Sequence, residues 1–169
     1  AALDSGSQTE IDDAVKTIVL LHGIIMSFGG IPLLYYGDEI GTLNDTSYLE
    51  DPAKANDSRW AHRPRINWQK AELRNRPGTV EHALFSALKK MIAVRKEIAA
   101  FADFNNRELL DVGNPHLFVF ARFEHDQTSR RVLVVANFDK APQHLNLEDL
   151  GRKAYFRNGA IRDLYSGEK

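Results

Sequence analysis

The period of the apolar positions changes along the chain, and with it the expected structure. From Thr9 to Met26 the residues Ile11, Val15, Ile18, Leu21 and Ile25 follow helical spacing, while Val19, Leu20, Ile24 and Met26 widen the apolar surface beyond one stripe. A helix of that kind is buried on more than one side or has lost a neighbour. Thr9 or a neighbour can cap it, Glu10, Asp12 and Asp13 suit the positive end of its dipole, and Gly29-Gly30 end it. His22, within this stretch, reads as a hydrogen-bonded core histidine, since no second ligand-like residue lies one turn away. The apolar run Ile31-Pro-Leu-Leu-Tyr-Tyr36 is unbroken and predicts a parallel strand covered on both faces, with Pro32 tolerated near its start. Gly37-Asp38-Glu39 then turns the chain. A helix and a strand joined by two glycines make one αβ step of a parallel α/β fold.

Thr42 to about Gly78 has loop composition, and a loop this long is functional or contains short elements. Its aromatics, Tyr48, Trp60 and Trp68, predict that it is packed. A second helix is expected over Thr79–Ile98, capped by Thr79, with Val80, Leu84, Leu88, Met91 and Ile98 as its stripe and Lys89, Lys90, Arg95 and Lys96 mostly on a solvated face. From about Phe101 the pattern becomes that of short strands with polar turns: Glu108–Val112, Leu117–Phe123, Arg131–Phe138, the alternating Gln143–Leu147 and Ile161–Tyr165, with Glu124–Ser129 as a hairpin loop. The reading is α+β, with an antiparallel sandwich or meander in the second part.

Composition narrows the partners. Lysine and arginine number 22 against 23 aspartates and glutamates, a net charge of -1 that argues against a nucleic-acid surface. There is no cysteine, which removes disulfides and thiolate metal sites. The stretch Ile18–Ile25 is too short and too polar to span a bilayer, so no membrane partner is expected. The first ten residues have neither a signal-peptide pattern nor an initiator methionine, so the chain is expected to be an internal piece of a longer protein, whose location, cytoplasmic or secreted, the sequence leaves open.

Two places could carry chemistry. Asp38 and Glu39 sit at the end of the expected strand, but adjacent strand residues point to opposite faces. A glycosyl-transferring carboxylate pair must share one space, at about 5–5.5 Å for retention or about 6.5–9.5 Å for inversion. Asp38 and Glu39 are therefore read as loop supports that accept backbone and Tyr hydrogen bonds. The run Asp57-Ser-Arg-Trp-Ala-His-Arg-Pro64 is richer. Arg59 offers a planar fork to a carboxylate or to sugar hydroxyls, and Trp60 a flat face for a sugar ring. Equally, Asp57 and Arg59 can form an ion pair that braces the loop, with Trp60 as a packing anchor. Asp45, Asp51 and Asp57 match no calcium-loop spacing and read as a solvated loop, and neither a metal nor another cofactor is expected.

The run Gly30-Ile-Pro-Leu-Leu-Tyr-Tyr-Gly-Asp-Glu-Ile-Gly41 resembles the eighth-strand segment of the α-amylase superfamily of glycoside hydrolases. Its continuation through Leu43-Asn-Asp45 and Asp57-Ser-Arg-Trp-Ala-His-Arg-Pro64 resembles the amylosucrases more narrowly, and Met91-Ile-Ala-Val-Arg95 with the strands after it resembles their C-terminal β domain. The resemblance is strong from His22 to about Arg95 and weaker beyond. It implies that residues 1–100 are the C-terminal end of a (β/α)8 barrel, with helix, strand 8, long site loop and last helix. Residues 101–169 would be an incomplete antiparallel β-sandwich domain.

The resemblance further implies a parent enzyme that takes sucrose, forms a β-glucosyl-enzyme and passes glucose to an α-1,4-glucan. Arg59 would line the sucrose pocket on the fructosyl side and pair with an acidic residue from earlier in the barrel, with Asp57, Trp60 and His62 as loop support. The catalytic carboxylates would lie upstream of Ala1, so the fragment alone is expected to be inactive. A sucrose hydrolase, an α-glucosidase or an α-amylase of the same superfamily is the alternative. A third reading is a non-catalytic, carbohydrate-associated β module, against which the β part has no tryptophan for sugar stacking. A truncated barrel would expose more apolar surface than monomers tolerate, so the fragment is expected to self-associate. Light scattering should show association, and a monodisperse, cooperatively unfolding monomer at high dilution would count against a truncated barrel.

Overall fold

A computed structural model describes residues 2–124, 127–146, 150 and 161–168. The chain forms two compact units, Ala1–Val19 with Leu34–Lys89, and Leu20–Leu33 with Lys90–Lys169. Helix α1 (Ala2–Ser5) precedes helix α2 (Gln8–Phe28). The cap of α2 is Ser7, a neighbour of Thr9: Ser7 Oγ accepts from the Glu10 amide at 3.4 Å and Ser7 O from the Ile11 amide at 3.0 Å. The helix stops at the expected glycines. Gly29 has a φ of 137°, and a Cβ there would lie 2.6 Å from Phe104 O. That approach requires glycine. His22 is half-buried, not enclosed in a core.

The expected strand over Ile31–Tyr36 does not form. A strand needs a neighbour to complete its ladder, and among the described residues none pairs with this segment. Ile31 and Leu33 are 83% and 78% exposed, and Leu21 and Ile25 of α2 are exposed as well.

The first unit is organised by residues 80–89 of helix α4 (Val80–Glu97) and the loop elements before them. Thr79 caps α4 as expected. Its hydroxyl accepts from the His82 amide at 3.2 Å and turns its hydrogen toward the Leu73 and Arg76 carbonyls. Leu84 and Leu88 are buried, together with Ile40 and Ala71. Gly41 (φ 62°) lets the chain pass against Leu84, whose Cδ1 would stand 2.7 Å from an added Cβ. Buried Glu81 faces Lys70 Nζ at 3.6 Å, which holds helix α3 (Trp68–Glu72) to the start of α4. The long segment is thus a series of short turns: 3-10 helices at Asp38–Ile40, Ser47–Glu50, Ser58–His62 and Leu73–Asn75, and α3. Tyr48 and Trp60 are half-buried as their packing role requires, but Trp68 is 71% exposed.

The second unit contains an antiparallel sheet in the order β1-β2-β3, with β1 Arg107–Leu109, β2 Leu117–Glu124 and β3 Gln127–Asn137. β1 is shorter than Glu108–Val112. β3 starts earlier than Arg131, so 127–129 are strand and not hairpin loop. Ile161–Tyr165 is not a strand: Asp163 accepts from the Tyr165 and Ser166 amides at 2.7 and 3.2 Å and folds the segment into a turn. Residues 143–146 are irregular. Leu147, the end of that expected strand, lies outside the described residues, as does most of the stretch before Ile161.

β2 is apolar on both faces, and each face has its own partner. Val119 and Ala121 pack with Leu110 and Leu150, flanked by Leu117, Leu133 and Leu145. On the other face Phe118 and Phe120 pack against Phe28 at the end of α2, with ring centroids 6.0 and 5.3 Å away, the Phe120 ring edge-on. Arg122 continues that face and is completely buried. Its Nε donates to Asn106 Oδ1 at 2.7 Å and its Nη2 to Ala100 O at 2.9 Å, and the guanidinium also reaches Ser27 O and Asp103 O. Arg95 donates beside it to Met26 O and Gly30 O. Burial is the main cause that lowers the Arg122 pKa, followed by the neighbouring Arg95 and Arg107 charges.

Removing the Arg122 guanidinium would strand several buried acceptors at once. Arg122→Ala is expected to cost about 3 kcal/mol or more in urea unfolding. An unchanged midpoint would show that water replaces the side chain.

Candidate functional site

The Asp57-Ser-Arg-Trp-Ala-His62 run lies in the first unit as a 3-10 turn, Ser58–His62. Asp57 is extended (φ -126°, ψ 95°) and caps the turn, its Oδ1 accepting from the Arg59 amide at 3.1 Å. An aspartate before a turn is suited to this, because its short side chain reaches the amide two residues on. The same carboxylate takes the Arg59 side chain, Nε on Oδ1 at 2.7 Å and Nη2 on Oδ2 at 2.8 Å. Of the two roles open to Asp57 and Arg59 on spacing, the bracing ion pair is therefore present. The Arg59 side chain nevertheless remains 74% exposed. Holding the guanidinium does not bury it, and a planar donor stays available to a ligand.

Trp60 sits between cations. Lys54 Nζ lies 5.4 Å and the Arg63 guanidinium 5.9 Å from its ring centre. Those contacts suit an anchor of the loop. His62 is exposed, and its Nδ1 is 3.0 Å from Asn44 Oδ1. An amide oxygen only accepts, so Nδ1 donates in that bond. Asn44 is a partner that the spacing of the sequence gave no reason to expect. The neighbouring amide of Asp45 donates to Ala61 O at 2.9 Å, so the 44–45 strip and the 57–62 turn are tied together. Tyr36 Oη donates to Pro64 O at 3.5 Å and ties the far end of the run to the expected strand.

The other acidic residues have local work. Asp38 Oδ2 accepts from the Tyr35 amide at 3.1 Å and Glu39 Oε2 from the Gly37 amide at 2.8 Å, the backbone bonds expected of loop supports. Asp45 accepts from the Ser47 amide at 2.9 Å, and Asp51 from the Ala53 amide at 3.0 Å while meeting Lys54 Nζ at 2.7 Å. Hydrogen bonds from Ser47 and from Lys54 hold the Asp45 and Asp51 carboxyls below their usual range. Among the described residues no three His, Cys, Asp or Glu side chains gather as a metal would require. No described helix is long and apolar enough to cross a membrane.

No protein-family model matches the chain. Over 152 residues, 88% of its length, the chain is 28% identical to the glucosylglycerate phosphorylase of Escherichia coli (strain K12). The aligned part is 26% of that protein, so the chain spans about a quarter of its relative's length. The similarity is to an enzyme of glycosyl transfer; it does not extend to sucrose or to the amylosucrases in particular.

The Arg59 hydrogen bonds hold the Asp57 carboxyl below its ordinary value of 3.8, and the same contact raises the Arg59 guanidinium. A carboxyl whose pKa falls on folding stabilises the folded state above its unfolded pKa, and that contribution is lost as pH drops through the folded pKa. The carboxyl carbon of Asp57, followed by NMR, should therefore titrate below 3.8. In Arg59→Ala the midpoint should rise toward the ordinary value. An unmoved midpoint would mean that the ion pair does not persist in solution.

Proposed function

We propose that this chain is the C-terminal part of a longer retaining glucosyl-transferring enzyme. In this reading residues 1–100 end a (β/α)8 barrel of the α-amylase type and residues 101–169 belong to an antiparallel β domain. The observation that carries it is an exposed, oriented arginine on a braced loop, Arg59, in a chain similar for most of its length to a phosphorylase of a glucoside. The donor is sucrose, on the resemblance of Gly30–Gly41 and Asp57–Pro64 to the amylosucrases, and the acceptor is the end of an α-1,4-glucan. Arg59 lines the leaving-group side, and the chain supplies no catalytic carboxylate of its own.

Chemistry on such a donor has two halves. A carboxylate attacks the anomeric carbon while an acid protonates the departing oxygen, which leaves a β-glucosyl ester. An acceptor oxygen then displaces the carboxylate, losing its proton to the same group. A sugar hydroxyl at this second step gives glucan, and water gives glucose. Orthophosphate gives a glucose phosphate, and the named activity of the E. coli relative favours this as the second reading. The short apolar segment Ile31–Tyr36 and the open side of α2 would be covered in the parent, so self-association of the isolated chain belongs to the same proposal.

The parent protein incubated with sucrose, with and without phosphate, separates these outcomes. Fructose with glucan and little free glucose is the expected result. Equal glucose and fructose would mean a hydrolase, and a glucose phosphate formed only when phosphate is added a phosphorylase. Turnover of glucosylglycerate without turnover of sucrose would sink the sucrose donor.

A further inference from the structure

Asp57 gives three hydrogen-bond acceptances to one residue, Arg59: its amide, its Nε and its Nη2. Nε and Nη2 form one edge of the guanidinium. With that edge taken by Asp57, the adjacent end-on edge still offers one hydrogen from Nη1 and one from Nη2. The two carboxylate oxygens fix the plane of the fork, and the amide bond fixes the backbone that bears it. A long side chain frozen before its ligand arrives loses less freedom on binding. The pair is also neutral overall, so its end-on edge attracts a free anion less than a lone arginine would.

We propose that Asp57 is a positioning residue that aims the end-on edge of Arg59 at two neighbouring neutral hydroxyls of the leaving sugar and, by cancelling its charge, keeps free anions off it. This rests on the reading of Arg59 as a donor-binding residue. The cap and the fork can be separated by substitution. Asp57→Asn and Asp57→Ser each keep an oxygen that can cap the turn. Neither offers two carboxylate oxygens, one for each arm of the guanidinium.

The experiment compares Asp57→Asn, Asp57→Ser, Arg59→Ala and the double variant Asp57→Asn/Arg59→Ala in the parent enzyme, with its glucoside donor and with inorganic phosphate as an added anion. In the two Asp57 variants KM for the donor should rise about tenfold, the loss of one charged hydrogen-bond set, with kcat little changed and the melting temperature retained. Inorganic phosphate should bind more tightly to Asp57→Asn than to the wild type. The double variant should be no worse than Arg59→Ala, because both remove one device. If Arg59→Ala impairs the enzyme and Asp57→Asn does not, the positioning role is wrong and the site reading stands. Additive losses would also overturn it, since Asp57 would then act by itself. If both Asp57 variants lose kcat and melting temperature together, Asp57 is only structural and the proposal fails. If Arg59→Ala behaves as wild type, the site reading itself fails and the proposal falls with it.

Discussion

A helix that stops within folded protein leaves its last carbonyls without intrahelical donors, at the negative end of its dipole. Helix α2 stops this way at Phe28, and two guanidinium groups from distant parts of the chain meet it. Arg95, on α4, takes Met26 O and Gly30 O; Arg122, on β2, takes Ser27 O. Arg122 also holds Ala100 O, Asp103 O and Asn106 Oδ1, so the turn before β1 is fixed by the same group. In the second unit the helix end, the turn and the sheet meet at one buried side chain. Its burial is costly. Carbonyl dipoles and the end of α2 supply the compensation.

β2 shows why that arrangement needs a strand and not a helix. Successive residues face opposite ways, so Val119 and Ala121 fill one core while Phe118, Phe120 and Arg122 face α2. One eight-residue strand therefore serves two packing surfaces at once. The single polar residue of the run Leu117–Phe123, Arg122, was plain in the sequence but was given no role there. Its partners were not plain, because Ser27 and Ala100 lie 95 and 22 residues away and offer only backbone oxygens.

What could be read in advance followed the strength of the local signal. The period of α4 and its Thr79 cap gave its start to within a residue, and β2 and β3 were apparent from their apolar runs. The Ile31–Tyr36 run failed as a strand because apolar character specifies burial and not a partner, and pairing is a property of two segments. The loop from Thr42 read as irregular because its turns are built by single aspartates and asparagines. Asp45, Asp51, Asp57 and Asn67 each bind an amide two or three residues on. Such turns leave no period in the sequence. At the site, the Asp57–Arg59 contact was one of two alternatives open on spacing, whereas the His62–Asn44 contact crosses 18 residues and had no sequence signature.

The two arginines that matter most here differ in what they hold. Arg122 grips carbonyl oxygens, which do not titrate, and a guanidinium keeps its charge across the accessible range. Arg59 grips a carboxylate, which can be neutralised by a proton. A proton on Asp57 therefore weakens the contact that orients Arg59, whereas the oxygens that Arg122 holds accept no proton in the same range.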